Sequence, residues 1–233
     1  MKNVLVIIPA RAGSKRIKNK NTRLLNGKPL FMHTFEAARE VFNDNQICVS
    51  TDDNKILEIL KEVGYSTPFI RPEKLSTDTA GSKELIKHAI KHYENTSVFK
   101  VDHIMLLQPT SPFRSSKHIR ESINLFKSEE FSEMLVSVCK SKSNPFFTQR
   151  IVDENGYLQS IIKNQFTRFQ DAPIIYDLNG AIYLFTKKSF KKYGLLDNPK
   201  IKLYEMDEVT SIDIDVELDL KIAEAFINAG LIK

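Results

Sequence analysis

The sequence predicts an α/β fold built on a doubly wound, mostly parallel sheet. The first observation is a run of five apolar residues at positions 4–8, which is typical of a strand buried on both faces. The second is an alternation of strand-like and helix-like segments through the first 140 residues. The third is a loop of small and cationic residues directly after the first strand, where open α/β sheets form their ligand crevice.

The next predicted elements are a strand and a helix. An apolar run at residues 47–49 predicts the strand, and Asp52 and Asp53 can cap the helix that follows. Gly64 is expected to end this helix because glycine adopts the left-handed conformation common after helix ends. The apolar residues that recur at helical spacing are Ile56, Ile59, Leu60 and Val63.

Two further helices and two strands follow. Ser82 is expected to cap the first of these helices. A strand is predicted at residues 104–107, and neither neighbouring element can continue through Pro109 and Pro112. Residues 134–138 predict the last strand of this series. The apolar faces of the two helices are Leu85, Ile86, Ala89, Ile90 and Tyr93, then Ile119, Ile123 and Phe126.

Residues 140–175 predict a small β-rich arm that leaves a main domain formed by residues 1–139 and 176–233. Asn155 and Gly156 predict a hairpin turn inside the arm. A short β arm cannot bury large aromatic side chains by itself, so these fold back on the domain or contact a partner subunit, and we expect the partner. The aromatic residues concerned are Phe146, Phe147, Phe166 and Phe169. A strand at residues 179–185 returns the chain to the sheet.

The loop at residues 9–16 has the composition of an anion-binding site. Gly13 allows the backbone to approach an anion closely, and Ser14 offers a hydroxyl group. The charge-assisted donors are Arg11, Lys15, Arg16 and the later Lys20. The glycine spacing matches neither a Walker loop nor the dinucleotide fingerprint. Taken alone, the loop is equally compatible with a solvated basic surface.

Two acids alternate with apolar residues near the carboxyl end of the sequence. On a strand, Asp213 and Asp215 point to one side while Ile212 and Ile214 point into the core. Aligned carboxylates repel each other, so the pattern predicts a cation between them, and Mg²⁺ prefers such oxygen ligands. The alternative is that one acid caps the following helix. The apolar face of that helix is Leu218, Ile222, Ala225 and Phe226.

Composition restricts the class of protein. A chain of 233 residues with 42% apolar and 27% charged residues can form one domain with a small appendage. Its net charge of +5 is spread along the sequence, which favours an anionic small substrate over nucleic acid. Cys48 and Cys139 lie in strand-like runs and are expected to be free thiols. With no signal peptide or membrane segment recognised, we expect a cytoplasmic protein without a membrane partner.

Six sequence blocks, in the same order, resemble motifs of the acylneuraminate (sialic acid) cytidylyltransferases, also called CMP-nonulosonate synthetases. The blocks are residues 8–21, 49–53, 71–82, 107–114, 179–183 and 211–215. One block would be weak evidence, but six cover nearly the whole chain. The resemblance implies a nucleotide-diphospho-sugar transferase-like fold, and a homodimer in which the arm reaches the neighbouring subunit.

The resemblance also implies a reaction and its residues. CMP is transferred from CTP to the anomeric hydroxyl of a nine-carbon 2-keto sugar acid (a nonulosonic acid), and pyrophosphate leaves. The implied nucleotide-binding residues are Arg11, Ser14, Lys15, Lys20, Asn21, Arg71, Ala80 and Ser82. The implied sugar-binding residues are Gln108, Ser111, Arg168, Gln170 and Asn179. Asp213 and Asp215 would hold Mg²⁺, and with Arg11 and Lys20 they form the implied catalytic set. These roles require the opening loop and the two acids to meet at one site.

The identity of the sugar depends on residues of the arm. Phe147 lies where members specific for the common sialic acid can carry a lysine, so sialic and legionaminic types both remain open. Arg168 would act in the neighbouring subunit's site. One alternative is a cytidylyltransferase for the eight-carbon acid Kdo, whose relatives lack the blocks at residues 108–112 and 211–215. Another is a nucleotide-sensing module without turnover, against which Lys20 and the paired acids argue.

Overall fold

A computed structural model describes residues 3–77, 81–96, 99–128, 133–163, 165–198 and 200–232. The strands are β1 (Val4–Pro9), β2 (Leu24–Leu25), β3 (Lys28–Pro29), β4 (Ile47–Ser50), β5 (His103–Leu106), β6 (Met134–Lys140), β7 (Arg150–Val152), β8 (Leu158–Ser160), β9 (Tyr176–Thr186) and β10 (Ile201–Glu205). The helices are α1 (Leu30–Arg39), α2 (Asn54–Glu62), α3 (Ser82–Thr96), α4 (Ser116–Ser128), α5 (Lys187–Tyr193) and α6 (Glu217–Asn228).

Six strands form the central sheet in the order β10-β6-β9-β5-β1-β4. β1 pairs in parallel with both β4 and β5, and β6 pairs in parallel with β10. β9 runs antiparallel between β5 and β6. The prediction of a mostly parallel sheet is therefore confirmed, with one reversed strand near its centre.

Helices cover both faces of the sheet. Because successive side chains of a strand point to opposite faces, Val6 and Ile8 pack with α1, α2 and α4, whereas Leu5 and Ile7 pack with α3. All four side chains are fully buried. Burial on both faces explains why β1 is a continuous apolar run rather than an alternating one.

The predicted helix boundaries are confirmed at α2 and wrong by one residue at α3. The Lys55 amide donates to the Asp53 side chain (2.9 Å), and Gly64 has the positive φ of +74° expected at a helix end. Ser82, predicted as a cap, is instead the first residue of α3. The Leu85 amide donates to the Gly81 carbonyl, so the helix begins one residue earlier than the sequence pattern indicates.

β7 and β8 form a separate two-stranded sheet within the segment predicted as an arm. Their turn is the predicted hairpin turn, and the Asp153 carboxylate accepts hydrogen bonds from the Asn155 and Tyr157 amides. Gly156 in this turn has a φ of +84°. The side chains of both strands are exposed. The boundaries of the arm stay a prediction.

The four aromatic residues of this segment pack in two pairs. Phe146 packs edge-on against Phe166 with ring centroids 5.1 Å apart, and Phe147 lies 5.5 Å from Phe169. Phe169 is 57% exposed, whereas the other three are half-buried. Phe146, Phe147 and Phe166 are therefore partly covered within one chain, and the contact of the four aromatic residues with a partner subunit stays a prediction.

Both cysteines are free, as predicted. Cys48 is buried in β4, and burial raises the pKa of its thiol far above the ordinary value. Cys139 lies half-buried in β6, and desolvation raises the pKa of this thiol as well. Among the described residues, no helix combines the length and apolar character needed to cross a membrane.

Candidate active site

The loop after β1 is held in shape by the ends of neighbouring strands. The Ala12 amide donates to the Asp52 carboxylate (2.8 Å), and Asp52 lies two residues after β4. The Asn21 side chain donates to the Arg11 carbonyl (2.9 Å), and Gly13 adopts a φ of +72°. Because these contacts fix the backbone, the cations of the loop are presented on a defined surface.

A cleft of about 440 Å³ opens at the carboxyl ends of β1 and β5. This is where ligands bind in open α/β sheets. Four cationic side chains line it against one carboxylate, so the cleft suits a ligand with several negative charges. The lining residues are Pro9, Arg11, Ser14, Lys15, Arg16, Lys20, Asn21, Gln108, Pro109, Thr110 and Asp215.

The opening loop and the acidic segment meet in this cleft. Lys20 Nζ lies 2.9 Å from Asp215 Oδ1 and donates to the Ile214 carbonyl (3.0 Å). Arg16 Nη1 lies 3.1 Å from Asp215 Oδ2. The Lys20 side chain is only 15% exposed, whereas that of Asp215 is 47% exposed. Residues separated by almost 200 positions in the sequence therefore form one site, as the resemblance requires.

The predicted strand through Asp213 and Asp215 is not formed, and this expectation is wrong. Residues 212–215 are an extended loop outside the sheet. The Ile214 amide donates to the Thr110 carbonyl (2.8 Å), and the Ile214 side chain is fully buried. Ile214 still separates Asp213 from Asp215. The extended loop therefore gives the spacing of the two acids around a buried apolar residue that the alternating pattern predicted for a strand.

The two acids differ in their electrostatic environment. Desolvation raises the pKa of Asp213; a hydrogen bond from the Thr110 side chain opposes this rise, and the charge of Asp215 adds to it. A hydrogen bond from Lys20 lowers the pKa of Asp215, partly offset by desolvation. Lys20 therefore bonds Asp215 directly and acts on Asp213 through its charge, and the divalent cation expected between the acids stays a prediction.

Capping of α6 is performed by another acid. The Asp219 carboxylate accepts hydrogen bonds from the amides of Asp215 and Val216, both at 2.8 Å. The alternative in which Asp213 or Asp215 caps this helix is therefore wrong. Neither carboxylate is used for capping; Asp215 lines the cleft, whereas Asp213 is not among its lining residues.

The donor atoms of the acidic segment fit Mg²⁺. Carboxylates are hard oxygen ligands, and Mg²⁺ is typically bound by one or two of them together with substrate phosphates. Asp213 and Asp215 interact electrostatically with each other beside the cationic loop. Within the described part of the chain, no cluster of three or more histidine, cysteine or acidic residues could hold a metal. A two-carboxylate site needs oxygen ligands from a bound phosphate to complete it.

Arg71, another implied nucleotide-binding residue, interacts electrostatically with Arg11 of the loop. It is 6% exposed, its amide donates to the Thr51 carbonyl (2.8 Å), and its Nε donates to the Leu75 carbonyl (2.8 Å). Burial lowers the pKa of Arg71, and the charges of Asp52 and Arg11 also act on it. Ser82 begins α3 and is half-buried, whereas Ala80 lies outside the described residues.

The implied sugar-binding residues occupy three different places. Gln108 lines the cleft. Ser111 and Asn179 are buried behind it, where the Asn179 side chain accepts from Ser137 Oγ (2.6 Å) and donates to Ser211 Oγ (2.9 Å). The two residues therefore form a supporting layer in this structure.

Arg168 and Gln170 are exposed on the arm, where Arg168 forms an ion pair with Asp171 at 2.8 Å. Neither is among the residues that line the cleft within one chain. Their implied role therefore depends on a second subunit.

The sequence did not identify two residues of the site, Thr110 and Asp52. Thr110 contacts both the acidic segment and the cleft, and Asp52 holds the opening loop rather than only preceding α2. Both follow strands of the sheet at their carboxyl ends, and this position was the available signal.

The sequence model of the cytidylyltransferase family matches residues 5–224. The chain belongs to the cytidylyltransferase family. It is 36% identical over 228 residues to the CMP-N,N'-diacetyllegionaminic acid synthase of Legionella pneumophila, covering 95% of this chain and 94% of that protein. It is 37% identical over 228 residues to an N-acylneuraminate cytidylyltransferase of Escherichia coli, covering 94% of this chain but 51% of that longer protein.

Solved structures of cytidylyltransferases share the fold. A CMP:2-keto-3-deoxy-manno-octonic acid synthetase complexed with CTP superposes with a TM-score of 0.70 at 16% identity, covering 98% of this chain and 100% of the other. A more distant relative by sequence is the pseudaminic acid cytidylyltransferase of Campylobacter jejuni, 29% identical over 225 residues, 96% of this chain and 95% of that protein. This cytidylyltransferase is therefore a nucleotidyltransferase, as the resemblance implied.

Proposed function

We propose that this cytidylyltransferase transfers CMP from CTP to the anomeric hydroxyl of a nine-carbon 2-keto sugar acid of the sialic or legionaminic type. Two relatives, 36% and 37% identical to this chain, are named for such sugars. The observation that carries the proposal is the ion pair between Lys20 and Asp215, because it joins a cationic loop to an acidic segment in one cleft.

The triphosphate of CTP is assigned to the opening loop. Arg11, Lys15 and Lys20 supply positive charge, and Ser14 supplies a hydroxyl donor. Asn21 and Arg71, with Ser82 and the backbone near Ala80, are assigned to cytosine and ribose. The burial of Arg71 beside the loop supports this assignment.

The sugar acid is assigned to the turn after β5 and to a partner's arm. Gln108 lines the cleft, and Ser111 and Asn179 support it from behind. We assign Arg168 and Gln170 to the neighbouring subunit's site in a homodimer, since both are exposed away from the cleft of their own chain. A cytoplasmic location belongs to this proposal because CTP is an intracellular nucleotide.

Asp213 and Asp215 are assigned to Mg²⁺. What a bound Mg²⁺ supplies is neutralisation of charge on the phosphate oxygens. Lys20 and Arg16 contact the Asp215 carboxylate and also line the cleft, so both are placed to contact phosphate oxygens beside the residues that would hold the ion.

The chemistry is a displacement at phosphorus. The anomeric oxygen forms a bond to the α-phosphorus, and the bond from that phosphorus to the bridging oxygen of the β-phosphate breaks. Pyrophosphate departs with the bonding electrons, and the hydroxyl proton is lost. Catalysis therefore consists of alignment and of stabilising charge on the leaving group, which Lys15 and Lys20 are placed to do.

Pyrophosphate release tests the proposal. The purified chain is supplied with CTP, Mg²⁺ and a panel of nonulosonic acids, with Kdo as a separate arm. Release with sialic or legionaminic acid is the expected result. Activity with Kdo alone would identify the eight-carbon alternative, and CTP binding without turnover on any acid would identify a sensor. Lys191→Met on α5 serves as a matched control for lysine substitutions, because it is exposed and lies outside the cleft.

A further inference from the structure

A buried arginine lies behind the turn that lines the cleft. Arg114 is 1% exposed, and burial lowers the pKa of its guanidinium to about 9, which leaves it charged at neutral pH. In the described ranges no carboxylate pairs with it, and its Nε and Nη2 groups have no hydrogen-bond partner. Burying a cation without a counterion is unfavourable, so this residue contributes something that an apolar side chain of the same size would not.

The remaining nitrogen of Arg114 joins two parts of the chain. Nη1 donates to the Gln108 carbonyl (3.0 Å) and to the Ala181 carbonyl (2.9 Å). The first lies in the turn after β5 and the second in β9. The Gln108 carbonyl also accepts from the Thr34 hydroxyl of α1 (3.3 Å). The turn is thus tied from behind to a central strand and to a helix.

An irregularity in β9 explains why the Ala181 carbonyl is available. The register between β6 and β9 shifts between Val136 and Val138, so Ser137 alone faces residues 179–182 of β9. Backbone groups in this stretch lack ladder partners. Ser137 Oγ accepts a hydrogen bond from the Ile182 amide (2.7 Å), and Arg114 donates one to the Ala181 carbonyl. The bulge therefore presents a carbonyl to which the turn is attached.

On its other side, the turn contacts the acidic segment. The Thr110 carbonyl accepts from the Ile214 amide (2.8 Å), and the Thr110 side chain donates to Asp213. Gln108 and Thr110 themselves line the cleft. A displacement of the turn would therefore move a cleft residue and a proposed metal ligand together.

We propose that Arg114 is a positioning residue that fixes the 108–111 turn against β9 and thereby places Gln108 for the sugar acid and Asp213 for the proposed metal. The statement about the sugar acid rests on the proposed function. The opening loop is held separately by Asp52 and Asn21, so Arg114 is expected to affect the acceptor substrate more than CTP.

Three variants test this role. Arg114→Met removes the donors and the charge while keeping most of the side-chain volume, and Arg114→Lys keeps the charge with a different donor geometry. The matched control is Ser122→Ala. Ser122 is buried in α4, where its hydroxyl donates to the local Ile119 carbonyl (2.9 Å), so its replacement represents loss of a buried polar group away from the turn.

Two measurements are combined. Amide hydrogen exchange is followed in residues 108–114 and 212–216, and steady-state rates are measured against the sugar acid and CTP. Arg114→Met should speed exchange in both segments and lower kcat/KM for the sugar acid by about 100-fold, as a misplacement of about 1 Å can do. The Kd for CTP, measured without Mg²⁺, should stay near the unmodified value. Arg114→Lys should recover part of the loss, and Ser122→Ala should behave as the unmodified chain.

Unchanged exchange in both segments of Arg114→Met would overturn the proposal, as would equal weakening of CTP and the sugar acid. If that variant fails to fold, Thr34→Val removes the other side-chain donor to Gln108 and should give a smaller effect of the same kind. Lack of pyrophosphate release by the unmodified chain would contradict the proposed function, whereas the exchange measurement decides separately whether Arg114 fixes the turn.

Discussion

The cleft and the arm hold their polar side chains in different ways. In the cleft, contacts join residues far apart in the sequence: Lys20 with Asp215, and Ala12 with Asp52. In the arm, Asp153 bonds amides two and four residues away, and Arg168 pairs with Asp171 three residues away. The contacts of the cleft can form only when the whole sheet has formed, whereas these contacts of the arm form within a short segment.

This difference indicates what each region can do alone. Cleft residues follow strands whose side chains are fully buried, so their positions are as well defined as the core. The hairpin of β7 and β8 has exposed side chains on both strands, and a two-stranded hairpin alone is marginally stable in water. We therefore expect the reaction to depend on residues that the core holds in place. We expect the arm to contribute through contact with a second subunit. Four predictions test that contrast.

The largest effect is expected in the cleft. Lys20→Met should lower kcat/KM by about 10²- to 10³-fold, because one preorganised donor to the developing charge is lost. Its partner Asp215 is about half exposed, so the free energy of unfolding should fall by no more than about 1 kcal/mol. Steady-state kinetics and urea unfolding measure the two quantities. A large loss of stability with little loss of rate would show that Lys20 serves the fold instead.

A smaller effect is expected from the arm. Arg168→Ala should lower kcat/KM for the sugar acid by about tenfold, in keeping with the loss of a charged hydrogen bond, and leave the Kd for CTP unchanged. Mixing Arg168→Ala with Lys20→Met subunits should restore activity above the average of the two variants. Hybrid dimers then contain one site with an intact lysine and a partner's intact arginine. Mixtures that only average would place the arginine in its own subunit's site or in none.

Within the cleft, the two acids should respond differently to pH. Lys20 lowers the pKa of Asp215 below its ordinary 3.8, so Asp215 stabilises the fold above that pH and loses this contribution as the pH falls through the folded pKa. Asp215→Asn should therefore be less stable at neutral pH by up to about 1 kcal/mol, and the difference should vanish in acid.

The contribution of Asp213 to the free energy of unfolding should change with pH in the opposite direction. Its folded pKa is raised, so its favourable contribution is complete below 3.8 and is lost as the pH rises through the folded value. Asp213→Asn should equal or exceed the unmodified chain in stability at neutral pH. Urea unfolding from pH 3 to 7 measures both variants, and parallel curves would contradict the assigned environments.

The smallest effect is expected in the hairpin. A Cβ at Gly156 would meet nothing within 4 Å, so Gly156→Ala is opposed only by the φ of +84°. The left-handed backbone conformation raises the conformational free energy of an ordinary residue by about 1–2 kcal/mol, and the effect is confined to the turn. Amide exchange in β7 and β8 should increase, while rates with saturating substrates should stay within about twofold, given the arm's separation from the cleft. Glu154→Ala in the same turn is the control.

The sequence was informative where local chemistry decides the outcome. Residues 4–8 could be identified as a buried strand because no polar side chain interrupts them, and Asp53 could be identified as a helix cap. The convergence of Lys20 with the acids followed from the resemblance and from the carboxyl-end rule for α/β sheets. The reversed direction of β9 could not be predicted, because a buried strand has the same pattern in either direction.

Other features depend on contacts distant in sequence. Alternation of acids with Ile212 and Ile214 fits a strand, but the Ile214 amide pairs with Thr110 outside the sheet. Helix α1 is buried on most of its surface, so it lacks the single apolar stripe by which helices are recognised. Arg114 ends the sequence block at residues 107–114, but the sequence could not assign its role, since its contact with the Ala181 carbonyl depends on a register shift in β9.

The place where the arm leaves the sheet has a consequence for how such enzymes diversify. Lys140 and Tyr176 are direct partners in the ladder between β6 and β9, and the Ser141 amide bonds the Ile175 carbonyl (2.9 Å). The point where the chain leaves the sheet is therefore adjacent to the point where it returns, as at the two ends of a hairpin loop. A segment inserted at such a point can be lengthened, shortened or exchanged without altering strand order. In the proposed function, where the arm serves the acceptor and the partner subunit, acceptor preference and subunit pairing could therefore change while the nucleotide chemistry stays constant.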